Sequence, residues 1–214
     1  MYKTVAAFLF LYFHIASAYS QSNWKLITED EGIKVYSKTV PDSKVKALRV
    51  ECSLNANADQ LVALLLDVNA ATEWVYHTKS CVLIRKVSDL ELYYYSEISL
   101  PWPLDNRDFV AHMKVSKDPL TKIITVQAPA VPGMVSTKKG IVRIHHSKGS
   151  WIISPLGKDR VKLEYTLQVD PGGILPAWLV NTFAAQGPLE SFKNMRQQLQ
   201  LTKYKNIPLS SALN

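Results

Sequence analysis

The chain has 214 residues, 47% hydrophobic and 20% charged, with a formal net charge of +7. Such a composition excludes a disordered or fibrous polymer, and the length suits one domain plus some extra sequence. A domain of this size buries a core without metal or disulfide staples.

The first twenty residues stand apart. Lys3 is the only charge ahead of an apolar run, Val5 to Ile15, and Ala16-Ser17-Ala18 then supplies small residues. A basic start, a short apolar core and a small-residue exit form a secretory signal peptide over residues 1–20. Cleavage after Ala18 and after Ser20 fit equally well. A membrane anchor is the other reading, but the run is shorter than the roughly 20 residues a spanning helix needs. The mature chain is therefore expected in a bacterial periplasm or beyond. Loss of Lys3 leaves a charge of +6. Such an excess favours anionic surfaces, lipid headgroups among them, or serves solubility. The basic residues are scattered and no Lys/Arg run interleaves with aromatics, so nucleic acid is not an expected partner. Cys52 and Cys81 could form a disulfide in an oxidising compartment. Their apolar, strand-like surroundings favour two buried thiols.

Asn23 to Leu201 reads as one domain, followed by a tail, 202–214, that carries Pro208 and Ser210-Ser211. Strand-like Trp24–Thr28 and Ile33–Thr39 flank a turn at Glu31-Gly32. A turn at Pro41-Asp42 leads to Lys44–Leu54, where Leu48, Val50, Cys52 and Leu54 share one face. Asn57 and Gln60 form a capping-box pattern ahead of Leu61, Leu64, Leu65 and Val68 at helical spacing. A shorter helical segment, Ala70–Tyr76, carries Trp74. Strands are then predicted at Val82–Val87, Leu90–Leu100, Arg107–Val115, Lys122–Ala128, Ile141–His146, Ser150–Ser154 and Val161–Val169. The last alternates strictly, with Val161, Leu163, Tyr165, Leu167 and Val169 on one face. A final helix is predicted over Pro176–Leu201. Pro188 cannot donate to the carbonyl of Ala184, so a kink is expected at Gly187-Pro188.

A long antiparallel sheet with one apolar face needs a cover, and one long helix is available. A curved sheet gripping that helix satisfies both and leaves room for a ligand between them. Strand parity places Arg107 with Phe109, Ala111, Met113 and Val115. It also places Glu97 with Tyr93 and Tyr95. If both sets face inward, Arg107 and Glu97 meet as a charge pair in an apolar pocket, because neither charge is tolerated there alone. The alternative leaves Arg107 on the surface, bonded to Asp105 or Asp108.

Three segments carry a family resemblance. They are the run Leu100–Val110, with its Arg107-Asp108-Phe109-Val110 core, the opening Trp24-Lys25-Leu26 with Gly32–Tyr36, and the stretch Asp170–Asn181. In that order they resemble START domains, the steroidogenic-acute-regulatory-related lipid transfer fold, over essentially all of the mature chain. The resemblance implies an α+β helix-grip fold, a curved antiparallel sheet round a long C-terminal helix that closes an apolar tunnel. It implies a lipid, sterol-like or other apolar ligand and no cofactor. It also implies that Arg107 faces the cavity with an acidic partner, for which Glu97 is the candidate.

A carrier must open. Trp178, Leu179 and Phe183 on the final helix are the expected lid contacts, with Gly187-Pro188 either a flex point or a static kink. The loop Val131–Met134, followed by Lys138-Lys139, is a candidate second gate, with Met134 an adaptable apolar contact. No Gly-x-Ser-x-Gly elbow, His-Glu-x-x-His, phosphate loop or Cys-x-x-Cys is present, so neither catalysis nor a metal is expected. His145-His146 would point to opposite faces of a strand and could not readily chelate one ion. A rival reading is a polyketide cyclase-like enzyme in which Arg107, Glu97 and Tyr95 assist. A third is a binding partner of an envelope complex, using the basic surface. A monomer is expected.

Overall fold

The computed structural model describes residues 24–40, 46–205 and 207. The segment expected to be a signal peptide, the expected turn at Pro41-Asp42 and the tail residues Pro208 and Ser210-Ser211 lie outside them. Ten strands form one sheet: β1 Lys25–Asp30, β2 Ile33–Thr39, β3 Lys46–Leu54, β4 Thr78–Ser88, β5 Glu91–Ile98, β6 Asn106–Lys117, β7 Ile124–Pro129, β8 Ile141–Arg143, β9 His146–Pro155 and β10 Val161–Asp170. Their order is β1-β2-β3-β10-β9-β7-β6-β5-β4, with β8 added beside β6 as the parallel pair. The other pairings are antiparallel. The sheet is curved and unclosed, and with the helices it makes a mixed α+β helix-grip fold.

Helix α1, Ala58–Leu66, starts where its capping residues dictate. The Asn57 side chain accepts from the Gln60 amide at 2.9 Å, and the Gln60 side chain accepts from the Asn57 amide at 2.9 Å. Two orphan donors are thereby satisfied reciprocally. Leu61, Val62, Leu64 and Leu65 then bury fully against the sheet. A short helix α2, Ala71–Trp74, follows.

Helix α3, Ala177–Gln198, runs unbroken through Pro188. Its two halves are packed differently. In the second, Phe192, Met195 and the following Leu199 are 3%, 0% and 2% exposed and belong to the main core. Lys193 pairs with Asp30, and Arg196 donates to the Glu31 carbonyl at 3.0 Å, which ties this half to the β1–β2 turn. In the first half Trp178 is 62% exposed, and Ile174 just before the helix is 94% exposed. At the junction Ser191 Oγ donates to the Gly187 carbonyl at 2.8 Å and accepts from the Tyr76 amide at 3.0 Å. One buried hydroxyl therefore supports the helix one turn beyond Gly187-Pro188 and bolts it to the chain entering β4.

Candidate functional site

Between the concave sheet face and the first half of α3 lies a cavity of about 340 Å³. Its walls combine Leu167 and Val169 of β10, Ile98 of β5 and Phe109 of β6 with Leu179, Val180, Phe183 and Ala184 of α3. A smaller chamber of about 120 Å³, reaching toward α1, is walled by Trp74, Tyr94, Met113, Trp151 and Tyr165. Val75, Thr78, Ser96, Phe109 and Tyr165 line both, so the two chambers adjoin. Their size falls near the lower end of the ~300–1,000 Å³ common for small-molecule sites. Aromatic packing sets the inner shape: Trp151 and Tyr165 have centroids 4.5 Å apart, and Tyr94 meets Phe109 edge-on at 5.9 Å.

Register decides which side chains face this space. In the β5–β6 ladder Ile98 opposes Arg107, Ser96 opposes Phe109, Tyr94 opposes Ala111 and Leu92 opposes Met113. Opposed residues share a face. Arg107, Phe109 and Met113 therefore line the cavity, as their parity predicted, and so does Trp74. Tyr93, Tyr95 and Glu97 do not. They oppose His112, Val110 and Asp108 on the outer face. The expected Glu97–Arg107 pair is thus corrected: a step of one residue along β5 puts Glu97 on the other side of the sheet. Glu97 instead accepts from Lys79 and from Asn106, each at 2.8 Å, and these bonds hold its carboxyl below the usual range against the opposing effect of burial.

Arg107 has no carboxylate in hydrogen-bond contact among the described residues. Its guanidinium donates to the Asp105 carbonyl and, at 3.2 Å each, to the carbonyls of Pro171 and Gly172. It therefore joins the β5–β6 loop to the segment leading into α3. Burial lowers its pKa, and the nearby Asp105 charge opposes that shift. The fork leaves donors to spare and a positive charge on the cavity wall.

The other lid residues divide. Leu179 is 2% exposed and lines the cavity with Phe183, whose ring packs 5.6 Å from Tyr76 and 5.3 Å from His77. Trp178 is 62% exposed and does not line the cavity. Met134 is half-buried and lines neither chamber. Its loop is held from the outer face instead. Asp108, 1% exposed, accepts from Arg143 Nε at 2.6 Å and Nη2 at 3.0 Å, and Arg143 also donates to the Val135 and Ser136 carbonyls. Lys138 donates to Tyr95 Oη at 3.0 Å. Arg107 and Asp108 thus act on opposite sides of one strand. Sequence reasoning missed this clamp because Arg143 lies 35 residues from Asp108. It also missed Tyr94, Ser96 and Ile98 as cavity walls. The aliphatic members of their set, Leu92 and Ile98, were the available signal.

Cys52 and Cys81 are free, buried thiols. Burial pushes each up to about 12, so Cys81 stays protonated in the inner chamber and is no nucleophile at neutral pH.

The START domain family model matches residues 16–205. The chain belongs to the START domain family. An uncharacterised protein of Pseudomonas aeruginosa is 30% identical over 184 residues, covering 86% of this chain and 90% of its own length. The phosphatidylcholine transfer protein of mouse is 27% identical over 191 residues, covering 86% of each. Among solved structures, a STAR-related lipid transfer protein from Xanthomonas axonopodis superposes with a TM-score of 0.76 at 37% identity, covering 84% of this chain and 99% of that one. Human STARD10 shares the fold at 21% identity, with a TM-score of 0.72 over 85% of this chain and 74% of its own.

The Ser191 contacts give a test of how firmly the first half of α3 is held in this START domain. Replacing Ser191 by alanine leaves the Tyr76 amide without its partner, a loss of about 1–3 kcal/mol for a buried group. The expected result is a lower thermal midpoint and faster amide exchange in residues 177–187. Unchanged exchange there would show that Ser191 does not restrain the first half of α3.

Proposed function

We propose that this START domain carries an apolar molecule in the cavity under the first half of α3 and exchanges it at a membrane. The carrying observation is the cavity itself, an apolar space walled by the sheet and roofed by the least buried part of the helix. Its similarity to a phosphatidylcholine transfer protein and to a STAR-related lipid transfer protein supports the same reading.

Exposed apolar side chains gather at one end. Trp102 is 92% exposed on the β5–β6 loop, and Ile174 and Trp178 flank the start of α3. Arg107 bonds to carbonyls of the β5–β6 loop and of the segment ahead of α3, which brings the stretches carrying these side chains near one another. Tryptophan suits the bilayer interface, where its ring is half in apolar material and half hydrated. Opening the first half of α3 against an anionic membrane would bring Leu179 and Phe183 to the lipid.

Transfer of a fluorescent lipid between donor and acceptor vesicles tests the proposal. Protein-dependent transfer that quickens with anionic lipid in the acceptor is the expected result. Binding without transfer would reduce the role to sequestration, and neither binding nor transfer would overturn the reading.

We also infer export through the signal peptide. The intact mass of protein purified from its host should correspond to a chain starting at Tyr19 or Gln21, and a mature chain retaining Met1 would overturn it.

A further inference from the structure

The two chambers share Thr78, Ser96 and Tyr165 and differ in what else lines them. The larger adds mostly aliphatic side chains and the charge of Arg107. The smaller adds Tyr94 and Trp74, so it is the more aromatic of the two. No hydrogen bond holds the Tyr94 or Tyr165 hydroxyl among the described residues. The Trp74 indole Nε1 is buried and likewise has no partner among them. Buried polar groups are normally paired, so a buried, unpaired indole N–H beside two half-buried phenols is informative.

Charge in this chamber is already spoken for. Asp67 at its rim accepts from Tyr204 Oη at 2.8 Å and from Lys203 at 3.1 Å. Arg107 lines only the larger chamber. Burial raises the Tyr94 and Tyr165 phenols far above their ordinary value, so both remain neutral donors. A phosphate or carboxylate placed here would be desolvated with no counter-charge beside it, which costs more than its hydrogen bonds return.

We infer that the inner chamber seats an uncharged hydrogen-bonding group at the buried end of the ligand, a hydroxyl, carbonyl or ester. The chain of the ligand then lies under α3 in the larger chamber, with the mouth near Arg107. This rests on the carrier reading and narrows it: the buried end of the cargo is an alcohol or ester rather than a charged headgroup.

Three matched probes test it, each competing with a fluorescent apolar dye for the purified protein: oleyl alcohol, 1-octadecene, and oleyltrimethylammonium. The alcohol should bind about tenfold more tightly than the octadecene, which is ~1.4 kcal/mol and the scale of a net buried hydrogen bond. The double substitution Tyr94→Phe with Tyr165→Phe removes two oxygens and keeps both rings. It should erase most of that preference, read as the ratio of alcohol to octadecene affinity within the same variant. Equal binding of alcohol and octadecene to the unaltered protein overturns the inference, and that comparison needs no variant. So does tightest binding of the ammonium probe, which would make the aromatic walls a cation site. Failure of all three probes to bind overturns the carrier reading itself, and the inference falls with it.

Discussion

Alanine at Asp108 is expected to destabilise the domain by ~3–5 kcal/mol, the scale for stranding one member of a buried ion pair. Asp108 is 1% exposed, and the Arg143 side chain 7%. Without the carboxylate, a guanidinium remains buried beside two loop carbonyls with no counter-charge. A loss of that size lowers the thermal midpoint by roughly 10 °C in a chain of this length. Replacing Asp108 and Arg143 together should cost less than the sum of the single changes, because the double variant strands no charge. A single Asp108→Ala shift of only one or two degrees would mean that the pair is dispensable. The expected consequence for the site is indirect. The clamp holds β8 and the 135–143 segment against the outside of the strand that carries Arg107 on its inside.

Tryptophan at Leu167 is the counterpart on the cavity side. Leu167 sits on β10 within the wall of the larger chamber. The added ring occupies ligand space, and a ligand that must displace it meets an overpacking cost of about 1–3 kcal/mol. Affinity for an apolar ligand should fall roughly ten- to a hundredfold. The thermal midpoint of the empty protein should hold or rise, because the ring fills space and buries apolar area. Lost binding with a retained fold separates the cavity from the core. Full binding by Leu167→Trp would place the ligand elsewhere.

Much of the architecture was legible because its determinants are local. The Asn57–Gln60 capping box starts α1 where the residues say it should, and the alternation in Val161–Val169 matches the buried face of β10. The strand at Ile141 is shorter than expected and ends at Arg143, with a separate strand from His146. The site was harder for two physical reasons. Tyr93-Tyr94-Tyr95 puts an aromatic on both faces of β5, so the run itself carries no parity signal. The expected pairing therefore assigned Glu97 to the wrong side. The partners of Arg107 are backbone carbonyls at Pro171 and Gly172, 64 and 65 residues away, and carbonyls leave no mark in a sequence. The Arg107-Asp108-Phe109 core reads as one feature in the sequence, yet its residues serve different ends. Arg107 and Phe109 shape the cavity, and Asp108 holds the outer clamp.

The cover of the cavity was legible in part. The proline and the apolar helix face pointed to α3, but only packing separates its halves. Phe192 and Met195 belong to the core, whereas Leu179 and Phe183 roof the cavity. Trp178, grouped with them by helical spacing, stands on the solvent side.

Native mass spectrometry of the protein purified from its own host tests the carrier reading most directly. The account predicts a bound molecule of lipid mass, released on activation and absent from the Leu167→Trp variant. A protein that emerges empty, and that stays empty after incubation with host lipid extract, would contradict it.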